Sequence, residues 1–165
     1  MSREVVLPHG FWFDIWEPQW IAGEQIISVP ANAQQTPIFI RDGAILPLAR
    51  LKPSAHRFDA KRVDFHVFLT EDTRSTTRYF FDDGKSFAYK RGARSAVEIA
   101  AMRSGGQLAL QTSTFTDGFG PGDFTFTTPC DIKQVLLNGI RLKRCAAQGV
   151  SLGAGGMTTW KSLNK

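Results

Sequence analysis

Arg78-Tyr79-Phe80-Phe81-Asp82-Asp83-Gly84-Lys85-Ser86-Phe87-Ala88-Tyr89-Lys90-Arg91-Gly92 is the stretch on which the reading of this chain turns. Asp83-Gly84 supplies the positive φ that a tight β-turn requires, and aromatic residues alternate on either side of it. Tyr79 and Phe81 share one side of a strand. Phe87 and Tyr89 are predicted to answer them from a second strand, Ser86 to Lys90. Lys90, Arg91 and Arg94 then flank a Gly92-Ala93 turn that reads as a solvated hairpin tip rather than a phosphate-binding patch.

Working outward, short β-prone runs recur between turn signals: 11–16, 25–29, 37–40, 44–48, 63–70, 77–81, 95–101, 107–115, 123–127, 132–137, 141–143 and 157–160. No helical period is sustained over eleven residues, which favours antiparallel sandwiches over βαβ units. Arg94 to Arg103 is the one ambiguous piece, and its flanking Gly92 and Ser104-Gly105-Gly106 favour strand. The expected fold is all-β, two small antiparallel β-sandwich domains, 1–73 and 74–165, divided at the polar connector Glu71–Thr76. Each domain would bury a small core, so the two are expected to share an interface or lean on something larger.

Composition supports a folded β protein: 165 residues, 42% hydrophobic and 21% charged, with thirteen Phe beside four Trp and two Tyr. Aromatics favour half-buried pleated strands. The net charge of +5 divides into +1 for residues 1–92 and +4 beyond them, and neither half approaches a nucleic-acid stripe. No apolar run is long enough for a membrane helix, and Glu4, Pro8 and His9 interrupt any signal-peptide pattern at the N-terminus. The compartment is left open. Cys130 and Cys145 lack the CxxC or His pairs of structural zinc, and two thiols are expected rather than a disulfide. The glycine clusters 118–122 and 153–156 lack a strand-to-helix context and a Gly-Lys-Ser/Thr ending, so they read as turns.

The hairpin stretch resembles the aromatic-Asp-Asp-Gly-x-Ser-Phe-x-Tyr signature that follows the catalytic barrel in glycoside hydrolase family 31, the retaining α-glucosidases and α-xylosidases. Two further blocks are similar to the same family in the same order. Leu7-Pro8, then Gly10-Phe11-Trp12-Phe13-Asp14-Ile15-Trp16, resembles the start of its proximal C-terminal domain, and Thr36 to Pro47 resembles its Ile-Pro-Val-Phe-Val-Arg-x-Gly-Ala-Ile-Ile-Pro block. Glu17-Pro18 departs from the usual Thr-Gly turn, and Asn32 to Gln35 lack the common Leu-Asp. From Ala93 onward only Val135 to Gly139 is similar to the family's distal domain.

The resemblance implies a non-catalytic C-terminal portion, because the family's two catalytic aspartates lie on a (β/α)₈ barrel whose motifs this sequence does not contain. No catalytic, cofactor or metal residue is therefore assigned. His9, His56 and His66 stand without a nucleophile motif, and His66 reads as a core or rim residue. The implied partner is the barrel, docked through 11–16 and 38–46; without it these surfaces would favour self-association. The rival reading is a free-standing carbohydrate-binding module in which Trp12, Trp16 and Trp20 contact oligosaccharide.

In strand geometry Phe11, Phe13 and Ile15 face one way and Trp12, Asp14 and Trp16 the other, so both faces call for cover. Burial of Trp12 and Trp16 is the expectation for a scaffold. Asp14, between two indoles, needs an indole N–H, a backbone N–H or Arg41 as partner. Asp82 and Asp83 are adjacent carboxylates that could ligate calcium, but no third carboxylate is near and the EF-hand spacing is absent; a turn-forming role is preferred.

Overall fold

Along β8 (Arg74–Phe81) exposed and inward-facing side chains alternate, from exposed Arg74 to buried Phe81. This period of two marks a strand with one solvated face. The computed structural model describes residues 2–30, 36–49, 60–145 and 156–161, and among these the only helix is a single 3₁₀ turn, Ala88–Arg91. The other strands, in chain order, are β1 (Ser2–Leu7), β2 (Phe11–Asp14), β3 (Gln19–Ala22), β4 (Gln25–Pro30), β5 (Phe39–Arg41), β6 (Ala44–Ala49) and β7 (Arg62–Phe68). After β8 come β9 (Ser95–Ser104), β10 (Gln107–Asp117), β11 (Asp123–Pro129), β12 (Gln134–Leu137), β13 (Ile140–Arg141), β14 (Lys143–Cys145) and β15 (Met157–Lys161). The fold is all-β, and the ambiguous 94–103 segment is strand.

Two five-stranded sheets, ordered β13-β12-β10-β9-β8 and β14-β15-β11-β7-β6, face each other across one core. Most ladders are antiparallel, but β7–β11 and β10–β12 pair in parallel, a departure from the antiparallel expectation. A parallel pair needs a crossover rather than a hairpin, and all of β8 to β10 intervenes between β7 and β11. Phe65 sits at the centre of the core, its ring 5.5 Å from Tyr79, 5.2 Å from Phe124 and 6.0 Å from Phe126. Ile99, Leu108, Leu110 and Val135 from the opposite sheet complete the packing.

The first forty residues add a β1–β4 ribbon and a three-stranded sheet ordered β3-β2-β5. Phe13, Ile15 and Ile40 from this part pack on Phe68, on the face of β7 turned away from the sandwich core. β7 is thus buried on both faces, Val63, Phe65 and Val67 on one side and Asp64, His66 and Phe68 on the other. A short ladder needs this cover, because a two- or three-stranded sheet is marginal alone. The turn joining β3 to β4 lies directly on the first motif. Gly23 donates to the Gly10 carbonyl at 2.6 Å, and a Cβ there would collide with the Pro8 backbone.

The core crosses the boundary expected at 73. Ile45, Val63, Phe65, Val67 and Leu69 precede it, Phe81, Val97, Ile99 and Leu110 follow it, and all lie in one cluster. The connector itself is fixed at both sides. The Asp42 carboxylate accepts from the Thr70 N–H at 2.8 Å, the Thr70 hydroxyl at 2.6 Å and the Thr73 hydroxyl at 3.1 Å. From the other side, largely buried Arg103 reaches Glu71 at 3.1 Å, the Leu69 carbonyl at 2.9 Å and Asp131 at 2.7 Å. A polar run in sequence is here a corner held by charge-assisted bonds.

Candidate functional site

The signature loop departs from the hairpin reading. Ser86 to Lys90 is not a strand; β8 pairs instead with β9, in register from Arg74↔Met102 to Phe81↔Ser95. The cause is local. The Asp83 carboxylate accepts from the backbone N–H groups of Lys85 and Ser86, both at 3.0 Å, and from the Ser86 hydroxyl at 2.7 Å. Asp82 accepts from the Gly84 N–H at 2.8 Å, and Gly84 adopts φ +62°. These Asx-type bonds wind the chain into a loop that ends in the 3₁₀ turn, offering its amides an alternative to a ladder.

Tyr79 and Phe81 do share one face, stacked at 5.5 Å in the core, but Phe87 and Tyr89 pack on each other at 6.3 Å outside it. Among the described residues no group of three His, Cys, Asp or Glu is placed to hold a metal. No disulfide joins Cys130 and Cys145.

Three N–H and O–H donors on one carboxylate have a measurable consequence. The backbone N–H of Ser86, then its hydroxyl, then the Lys85 N–H hold the Asp83 carboxyl at about 2. A carboxyl-detected NMR titration is expected to show an Asp83 midpoint near that value. A midpoint in the ordinary aspartate range would mean that the loop is not formed in solution.

The three tryptophans do not form one platform. In the β2–β3 ladder Trp12 lies opposite Ile21, and Trp20 opposite Phe13, so Trp12 and Trp20 point to opposite faces of the small sheet. Trp20 is edge-on to Phe13 at 5.3 Å, inside the cluster on Phe68, and its indole N–H has no partner among the described residues. Trp12 and Trp16 are half-buried rather than buried. Their indoles donate to the Pro8 and Thr36 carbonyls, at 2.9 and 2.8 Å. Asp14 takes the backbone option, accepting from the N–H of Trp16 at 2.8 Å and of Glu17 at 3.3 Å.

A buried polar seam runs along the β7 face that carries Phe68. The Asp64 carboxylate meets His66 Nε2 at 3.0 Å, the Thr125 hydroxyl at 2.9 Å and the Thr127 hydroxyl at 2.7 Å, while Thr127 and Thr159 share a hydrogen bond at 2.8 Å. Every member is at most 4% exposed. The parallel register makes this possible, since it sets Thr125 beside Asp64 and Thr127 beside His66. Burial pulls the Asp64 carboxyl upward, but the bonds from His66 and Thr127, the His66 charge and the Thr125 bond outweigh it and hold it below the ordinary aspartate value. His66 Nδ1 has no partner among the described residues. All five side chains being buried and most of them bonded to one another, the seam reads as a structural network.

Residues 1–46 match the glycosyl hydrolase family 31 C-terminal domain. The 1,6-alpha-glucosyltransferase of Sporosarcina globispora is 29% identical over 98% of this chain. Residues 1–46 carry the family 31 C-terminal domain signature. Alpha-glucosidase 2 of Bacillus thermoamyloliquefaciens is 30% identical over 59% of the chain, and the chain spans only 12% of each of these two relatives. The glucose-bound family 31 dextranase of Flavobacterium johnsoniae shares the fold, with a TM-score of 0.70 at 20% identity, over 96% of this chain and 22% of that one. In this chain the features that sequence reasoning missed are β1, β3 and the seam. Its only sequence signal is the alternating Asp64-x-His66 opposite the Thr125-x-Thr127 run.

Proposed function

We propose that the chain is a non-catalytic part of a retaining α-glycosidase and braces its (β/α)₈ barrel, the ribbon β1–β4 forming part of the docking layer. One observation carries this reading. Val6 and Ile26 are cross-strand partners, 68% and 62% exposed, on a ribbon whose other side buries Leu7 and Val29. Two apolar side chains held side by side in water on a marginal two-stranded element call for a covering surface. Five aspartates, Asp14, Asp42, Asp64, Asp82 and Asp83, are committed to local hydrogen bonds, which supports the non-catalytic half of the reading. A glycan platform of Trp12, Trp16 and Trp20 is the competing reading, and the opposed faces of Trp12 and Trp20 weigh against it.

The test joins activity to docking. The purified chain is expected to leave aryl α-glucosides and α-xylosides unhydrolysed; turnover that survives repurification overturns the reading. Mixed with a family 31 barrel expressed as a separate polypeptide, the chain is expected to co-elute. Val6→Asp with Ile26→Asp should abolish co-elution while leaving the melting temperature of the chain alone unchanged, because both positions are exposed. Co-elution unaffected by the double change moves the docking surface elsewhere.

A further inference from the structure

We propose that the cleft between the two sheets, lined by β10, β11 and the 120–122 turn, is a binding pocket for a neutral pyranose sugar. This stands whether or not the ribbon docks on a barrel. The inward-facing positions of β10 change character along the strand, Leu108 and Leu110 being buried core, whereas Thr112 and Thr114 face a cleft of about 310 Å³. That volume is at the lower end of the ~300–1,000 Å³ range of small-ligand clefts. Phe124 and Phe126 line the cleft from the facing sheet, Phe81 lines it from the threonines' own sheet, and exposed Asp117 is also in its lining.

The glycine run 118–122, a turn by its sequence, is the wall of this cleft. It is anchored on the start of β9. The Ser95 hydroxyl donates to the Gly120 carbonyl at 3.0 Å and accepts from the Phe119 N–H at 3.1 Å, and the Gly118 N–H donates to the Arg94 carbonyl at 3.0 Å. Phe119 is pinned from both sides, its ring 6.2 Å from Phe81 and 4.2 Å from the Lys61 ammonium. The rim is therefore fixed before any ligand arrives, which lowers the ordering cost of binding.

The lining selects the ligand class. Among the described residues the Thr114 hydroxyl and the Asp117 carboxylate have no hydrogen-bond partner, while Thr112 already accepts from Asn138 at 3.0 Å. Among the described residues no Lys or Arg lines the cleft, and its two carboxylates, Asp117 and the Arg62-paired Asp123, disfavour a phosphate or carboxylate ligand. A purely apolar ligand would leave hydroxyl and carboxylate groups unsatisfied. A neutral ring with C–H groups on one face and hydroxyls at its edge satisfies both kinds of lining, resting on the phenylalanines and donating to Asp117.

Titration of the ¹⁵N-labelled chain with glucose, maltose and isomaltose tests this. Saturable shifts are expected at Thr112, Thr114, Gly120 and Gly122, with millimolar dissociation constants, and glycerol at the same concentrations should give no saturation. Thr114→Leu, which fills the cleft, should abolish the shifts with the melting temperature retained. Asp117→Asn, at an exposed position, should weaken binding severalfold and serves if the leucine variant does not fold. The absence of saturation with all three sugars means a water-filled cleft and overturns the proposal, as do saturable shifts centred on Trp12 that Thr114→Leu leaves intact.

Discussion

Asp64→Ala is expected to remove about 3–5 kcal/mol of folding stability, because several buried polar groups lose their acceptor at about 1–3 kcal/mol each. The alanine leaves His66 Nε2 and the hydroxyls of Thr125 and Thr127 without their shared acceptor, in a seam that is at most 4% exposed. Against a total of roughly 5–15 kcal/mol for a single domain, such a loss is close to unfolding. The same carboxylate sets a pH limit. Its folded-state value is lowered, so its contribution is fully present above the unfolded-state value of about 3.9 and is lost as the pH falls through the folded-state value. Urea unfolding of the parent and Asp64→Ala chains at neutral pH and near pH 3 checks both statements. A neutral-pH loss under about 1 kcal/mol would place the seam among weakly contributing polar contacts, and a gap between the two chains that does not narrow in acid would remove Asp64 from the pH response.

What the sequence made legible follows from how local each signal is. Alternation along Arg74 to Phe81 depends only on the residues themselves, so β8, and the shared face of Tyr79 and Phe81, could be read directly. The loop after Asp82 could not, because the contest between a second strand and an Asx-wound 3₁₀ turn is decided by which acceptor the Lys85 and Ser86 amides find first. β3 is four residues long, too short for a periodic signal, and exists because β2 lies beside it. The corner at 70–74 reads as a linker for the opposite reason. Its polarity is real, but Asp42 and Arg103, about thirty residues away on either side, convert it into a fixed joint. The Asp64 seam belongs to the same class, since Thr125 and Thr127 reach β7 only through a parallel ladder that no short-range pattern announces.

The neighbouring position gives the other large effect, on the opposite side of the same strand. Phe65 is 0% exposed, and four aromatic rings including its own are interlocked around it, edge-on to Tyr79 and Phe124 and stacked with Phe126. Phe65→Ala removes the ring from a site whose neighbours belong to two different sheets, so the hole cannot close by shifting one of them. The expected cost is about 3–5 kcal/mol, the sum of lost transfer energy and an unfilled cavity. Phe65→Leu keeps most of the volume and should cost far less, whereas Phe87→Ala, at a ring 73% exposed, should stay within about 0.5 kcal/mol. The three variants share one measurement, the urea midpoint with an unchanged slope. Asp64 and Phe65 point to opposite faces of one strand, so Phe65→Ala separates the sandwich core from the outer seam. A small loss at Phe65 beside a large one at Asp64 would mean that the chain is held chiefly by the outer layer, against the single shared core on which the reading of this fold rests.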